Sequence, residues 1–169
     1  MKSLLFIGGT GFLGQSFFDH LDKFNLKKNK LTKVIVLSRK RKKIESKIKI
    51  SYITKSISDL KKLPVTDYII YAANSRNYKE DLRGVYNFKN LLNENHKKTK
   101  ILLTSSGAVY GKINKKNKIR ETAYISLNKV SNFKGYKKNY AKLKITKEKE
   151  FYKLSKNGFN IVILRLFSF

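Results

Sequence analysis

Gly8-Gly9-Thr10-Gly11-Phe12-Leu13-Gly14 constrains this chain more than any other stretch. The apolar run Leu4-Leu5-Phe6-Ile7 precedes it, and Phe12, Leu13, Phe17, Leu21 and Phe24 recur behind it at helical spacing. A buried strand, a glycine turn and a helix in that order make the first half of a βαβ unit. The glycines stand at G-x-x-G-x-x-G spacing. Gly8 permits backbone angles closed to other residues. Gly11 lets the backbone approach a pyrophosphate, and Gly14 lets the helix pack closely. The free N–H groups and positive dipole end of the helix then face the anion.

The rest of the chain repeats the alternation. Strands are predicted at 2–7, 34–37, 48–53, 68–71, 101–104 and 161–166, and helices at 12–24, 78–94 and 137–156. Residues 112–135 have little periodicity and read as a long loop. Asn157-Gly158 stops the last helix. Near-continuous apolar strands alternating with helices predict an α/β fold: a Rossmann-type, doubly wound parallel sheet with helices on both faces. A single domain over 1–169 is expected, with no linker and no internal repeat. The chain ends at Phe169, on or just after a strand, and so reads as a fragment or short variant.

Composition closes several alternatives. The chain has no cysteine, which excludes disulfides and thiolate metal sites. His20 and His96 are the two histidines, and both read as solvated helix residues rather than ligands. No metal is expected. Met1-Lys2-Ser3 runs directly into the first strand and lacks a cleavage pattern, so the chain is expected in the cytoplasm. No apolar run approaches the ~18 residues of a membrane span, and no membrane partner is expected. The net charge of +28 would suit a polyanion. Lysine is spread everywhere, however, and Lys, Asn and Ile share A/T-rich codons. The charge is therefore read as compositional, with no specific nucleic-acid partner, although a basic nucleic-acid-binding protein stays open as a lesser alternative.

The end of the second strand meets the adenosine ribose in such folds, and an acidic residue there favours a free 2′-hydroxyl. Here the sequence is Ser38-Arg39-Lys40-Arg41. Ser38 can hydrogen-bond a 2′-phosphate and Arg39 can pair with it bidentately. The cofactor expected is NAD(P), leaning to NADP.

Thr104-Ser105-Ser106-Gly107 leaves the C-terminal end of the fifth strand, the edge where open α/β sheets bind ligands. Tyr140 and Lys144 are four apart and share one helix face. An ammonium beside a phenol favours the phenolate. Tyr140 is then able to exchange a proton with a substrate hydroxyl or carbonyl, with Ser106 on the same oxygen and Lys144 within reach of the nicotinamide ribose.

The ordered blocks GGTGFLG (8–14), YAAN (71–74), DLRGVYNFKNLL (81–92), SSGAVYG (105–111), YAKLK (140–144) and GFNIVILRLFSF (158–169) resemble the N-terminal half of an extended short-chain dehydrogenase/reductase, the NAD-dependent epimerase/dehydratase family. The gap of 34 residues from Ser106 to Tyr140 suits the extended members. The resemblance implies that Gly8, Gly11 and Gly14 bind the pyrophosphate, with Thr10, Phe12 and Leu13 lining the turn. It places Ala72 and Ala73 under the cofactor and makes Ser106, Tyr140 and Lys144 catalytic. It puts Glu121 in the place of a frequent acidic residue of the preceding loop. Ser56, beside Ile57, stands where an acidic residue often touches adenine, and Asp81 stands for a frequent asparagine. The implied activity is hydride transfer on a nucleotide sugar, as epimerase, dehydratase or reductase. A non-catalytic NADP-binding sensor or interaction module is the alternative. The C-terminal substrate domain of the family is absent from the sequence. The family also pairs subunits through the helices at 78–94 and 137–156, so the resemblance implies a homodimer through them.

Overall fold

The computed structural model describes residues 2–21, 31–75, 77–112 and 118–167. Six strands form one sheet: β1 (Lys2–Ile7), β2 (Leu31–Ser38), β3 (Lys49–Thr54), β4 (Tyr68–Tyr71), β5 (Lys100–Ser106) and β6 (Asn160–Leu166). Their order is β3-β2-β1-β4-β5-β6, and every neighbouring pair is parallel. The chain winds outward from β1 to β3, then crosses back to build β4 to β6 on the other side. The resulting switch between β1 and β4 opens a crevice at the carboxyl ends of the strands. This is the doubly wound Rossmann-type sheet that the alternation predicts.

The period of two along each strand divides the core. Leu5, Ile7, Ile69, Tyr71, Ile101 and Leu103 face α2 (Tyr78–Leu91) and α3 (Gly135–Lys156). Leu4, Phe6, Val34 and Val36 face α1 (Phe12–Leu21). Phe88 of α2 stacks on Phe151 of α3 at 5.6 Å, with Tyr71 edge-on to both. Aromatic pairs of this kind add about 0.5–1.5 kcal/mol beyond burial, and this cluster sets how α2 and α3 lie on the sheet. A third cluster, around Val109, Val130, Ala141 and Ile145, holds the 107–110 and 128–130 turns against α3.

Boundaries move where polar residues continue a hydrogen-bonded element. β2 starts at Leu31 rather than 34, because Leu31 and Lys33 are registered with β1 despite the solvated Thr32 and Lys33 side chains. β5 runs on to Ser106 in register with β6. α2 ends at Leu91 rather than 94. Leu92 turns extended, and Asn93 caps a 3-10 turn at 94–96. α3 begins at Gly135 and ends before the Asn157-Gly158 stop, where Gly158 takes φ +83°. The 112–135 loop contains a 3-10 turn at 128–130, while 113–117 lies outside the described residues. So do residues 22–24 of the first predicted helix. No described helix is long and apolar enough to cross a membrane.

Candidate active site

The crevice at the switch point is a cleft of about 1300 Å³, and every predicted site residue except Gly14 lines it. The three glycines of the turn serve three different constraints. Gly8 takes φ +84°, and a Cβ there would stand 2.7 Å from the Ala73 nitrogen. Gly14 is buried, with room for no Cβ: the Gly9 carbonyl oxygen would lie 2.0 Å away. Close approach at Gly14 is thus to the turn itself. Gly11 is exposed, and its added Cβ would meet only the Gly8 oxygen, at 3.2 Å. Its surface faces the cleft. Thr10, Phe12 and Leu13 complete the turn, with Phe12 85% exposed.

At the end of β2, the Ser38 hydroxyl donates to the Lys40 carbonyl at 2.6 Å. Arg39 extends across to Glu80. Ser56 caps the 3-10 turn 57–59 and accepts from the Ser58 hydroxyl at 2.8 Å, while Ile57 is buried against α2. Ala72 and Ala73 form the floor beyond β4.

At the other end, α3 brings Tyr140 and Lys144 to the tip of β5. The Lys144 ammonium donates to the Thr104 carbonyl at 3.1 Å and lies 5.4 Å from the centre of the Tyr140 ring. Burial pulls Lys144 down to about 8, with repulsion from Lys147 adding to it and Asp81 and Glu148 opposing it. The ammonium therefore gives up its proton more readily than an ordinary lysine, while still holding it near neutral pH. Ser106 sits opposite and accepts from the Ala108 N–H at 3.2 Å as the cap of the 107–110 turn.

Two buried networks behind these residues escaped sequence reasoning. Lys147 pairs with Asp81 at 3.1 Å, their side chains 1% and 5% exposed. Glu148 accepts from the Ser105 hydroxyl at 2.5 Å and from the Arg165 guanidinium. Arg165, raised above its usual range by Glu148, also donates to the Tyr110 hydroxyl and the Glu121 carbonyl. Lys147 and Glu148 lie seven and eight residues beyond Tyr140, so helical spacing placed them on its face. The abundance of lysine hid the signal. Glu121 meets this network through its backbone.

His20 is exposed as expected, but His96 is 1% exposed. His96 belongs to a capping box with Asn93, which carries its ring inward. Among the described residues no three His, Asp or Glu side chains gather as a metal site.

Solved structures with the same fold include dTDP-glucose 4,6-dehydratase from Bacillus anthracis in complex with NAD, with 14% identity and TM-score 0.70 over 98% of this chain and 54% of that one. UDP-glucuronic acid 4-epimerase from Bacillus cereus in complex with NAD has 17% identity and TM-score 0.64, covering 98% and 56%. Vestitone reductase from alfalfa has 19% identity and TM-score 0.71, also covering 98% and 56%. The chain spans about half the length of each. Comparison of the sequence with curated proteins finds no match. Residues 4–169 match the model of one family across nearly the whole chain. The chain belongs to the NAD dependent epimerase/dehydratase family.

Proposed function

We propose that this chain is the cofactor-binding part of a cytoplasmic NAD(P)-dependent enzyme that acts on a nucleotide sugar, with NADP the favoured form. The observation that carries the reading is convergence: Ser106, Tyr140 and Lys144 line the same cleft as the Gly8–Leu13 turn. The cleft fits a dinucleotide at both ends. Gly8 and Gly11 leave the backbone bare where a pyrophosphate would lie against the start of α1. Ser38 and Arg39 stand where a 2′-phosphate would arrive. Ser56 and Ile57 flank the adenine position, and Ala72 and Ala73 floor the cleft.

A bound nicotinamide would supply hydride exchange at a sugar carbon. Tyr140 would take the proton of the sugar hydroxyl, and Ser106 would steady the oxygen by a hydrogen bond. Lys144, held at the end of β5, stands beside the Tyr140 ring and would serve a ribose hydroxyl. Epimerisation and dehydration would share this first step, whereas net reduction would run it in reverse, with hydride and proton delivered to a carbonyl. The family includes NAD-bound members, and a preference for NADP would favour net reduction. A non-catalytic NADP-binding module is the second reading. A homodimer through α2 and α3, where Tyr86 and Tyr152 are 44% and 59% exposed, belongs to the same proposal.

Fluorescence titration with NADPH and NADH tests the reading, with Gly11→Asp as control. Binding that Gly11→Asp abolishes supports the cleft, and tighter NADPH binding supports the NADP preference. Absorbance at 340 nm with UDP- and dTDP-sugars separates the enzyme from the module. No binding of either dinucleotide overturns the proposal.

A further inference from the structure

We propose that Lys147 and Asp81 are positioning residues of this site: their buried pair fastens the 72–75 loop to α3 and fixes a second cation one helical turn beyond Lys144. The inference rests on the reading of the cleft as a dinucleotide site.

Lys147 donates to two acceptors, Asp81 Oδ1 at 3.1 Å and the Ala73 carbonyl at 2.9 Å. The other Asp81 oxygen accepts from the Ser75 N–H at 2.8 Å. Both ends of the Ala73–Ser75 turn therefore close on one ion pair, and that turn lines the cleft. Lys144 reaches the Thr104 carbonyl near the end of β5 in the same way. Two lysines, three apart on α3, are thus stitched to the ends of neighbouring strands. The catalytic face of the helix and the floor of the cleft become one rigid unit.

An ion pair so deeply buried is a poor device for stability, because desolvation of both charges offsets most of their attraction. Its contacts give it a positional role instead. The charged or titratable groups facing Lys144 are Tyr140, Lys147 and Glu148 on its own helix and Asp81 from α2. Lys147 also lies 5.6 Å from the Tyr71 ring of β4. Among these charges Lys147 acts on Lys144 most strongly, and it opposes protonation.

The test is Lys147→Met in the whole chain, with lysine ε-carbon and ε-nitrogen NMR across pH and amide exchange at Ser75. Lys144→Met assigns the Lys144 signal. We expect the Lys144 midpoint to rise by about one pH unit, Ser75 exchange to speed up about tenfold, and dinucleotide affinity to fall about tenfold. A pair that only held the fold together would lower Tm and leave the Lys144 midpoint in place. A folded Lys147→Met protein with wild-type midpoint and wild-type Ser75 protection overturns the proposal. Should the unpaired Asp81 prevent folding, Asp81→Asn/Lys147→Met carries the same test. Its Lys144 midpoint should still rise, because the ammonium lost outweighs the carboxylate lost. Failure of the wild-type chain to bind NADH or NADPH overturns the cofactor reading alone, since the titration and exchange measurements need no dinucleotide.

Discussion

The Arg39 guanidinium stands 3.2 Å from the Glu80 carboxylate, joining the end of β2 to the first turn of α2 over the cleft. The second Glu80 oxygen accepts from the Ser75 hydroxyl at 2.7 Å. Both partners are exposed enough that the pair contributes at most about 1 kcal/mol to folding. Its consequence lies in binding. A 2′-phosphate bound as proposed would have to take Arg39 from Glu80, and Glu80 would repel it. Glu80→Gln should therefore tighten NADPH roughly three- to tenfold with little change for NADH, as an exposed charge pair allows. Arg39→Ala should weaken NADPH about tenfold and NADH much less. Parallel titrations measure the ratio, and an unchanged ratio in both variants removes Arg39 from cofactor selection.

Two glycines of one turn should respond in opposite ways. Gly14→Ala drives a methyl into the Gly9 backbone, which cannot yield as a side chain can. A loss of about 3 kcal/mol or more is expected, at or beyond the usual range for overpacking. Gly11→Asp adds a side chain on an open surface and should leave urea unfolding within about 0.5 kcal/mol of wild type. It should nevertheless abolish dinucleotide binding through charge and bulk. Comparable destabilisation by both would contradict the distinction.

Lys144 should make stability depend on pH in a known direction. Its native pKa, about 8, lies below the ordinary 10.5 because burial disfavours the ammonium. Below pH 8 both native and unfolded states hold the proton, and the native state bears the full cost. From pH 8 to 10.5 the native state releases its proton first, and the cost fades. Lys144→Met should therefore gain on the order of 2 kcal/mol at pH 7 and progressively less toward pH 10. Urea unfolding at both values measures this, and a gain that grows with pH would contradict it.

Tyr140→Phe removes the hydroxyl proposed to exchange a proton with substrate and keeps the ring beside Lys144. Turnover of any sugar that the chain oxidises should fall by about 10²–10⁴-fold, the range for loss of a general acid–base group. The Kd for the dinucleotide should change less than about threefold. Retained turnover would move the acid–base role elsewhere.

Glu148 is 3% exposed and holds Ser105 and Arg165 together. Glu148→Ala leaves a guanidinium without its partner and should cost about 3–5 kcal/mol. Glu148→Gln keeps one acceptor oxygen, which can serve the Ser105 hydroxyl and Arg165 Nε, and should cost less. Thermal unfolding orders the two variants, and equal losses would show that the charge is immaterial.

The sheet was legible because its signals are local. Four apolar residues, a glycine turn and a helical stripe identify β1 and α1 in any surroundings, and Asn157-Gly158 marks the end of α3 by its own conformation. The ends of β2 and β5 were less legible, since solvated Lys33 and half-buried Ser106 extend strands only through their neighbours' hydrogen bonds. His96 was misread for a related reason: its burial follows from a cap with Asn93 that helical periodicity does not register.

The sequence by itself determined the αβ alternation, the phosphate-type turn and the shared helix face of Tyr140 and Lys144, because each depends on residues within a few positions of one another. Tertiary structure decided which charges are buried and with whom. Asp81 and Lys147 are 66 residues apart, and Arg39 and Glu80 are 41 apart. In a chain with 39 basic side chains, no local pattern singles out Lys147 as one that folding takes out of water. Only the packing of α2 and α3 on β4 and β5 does so, and the cost of desolvating an ammonium then demands the carboxylate beside it.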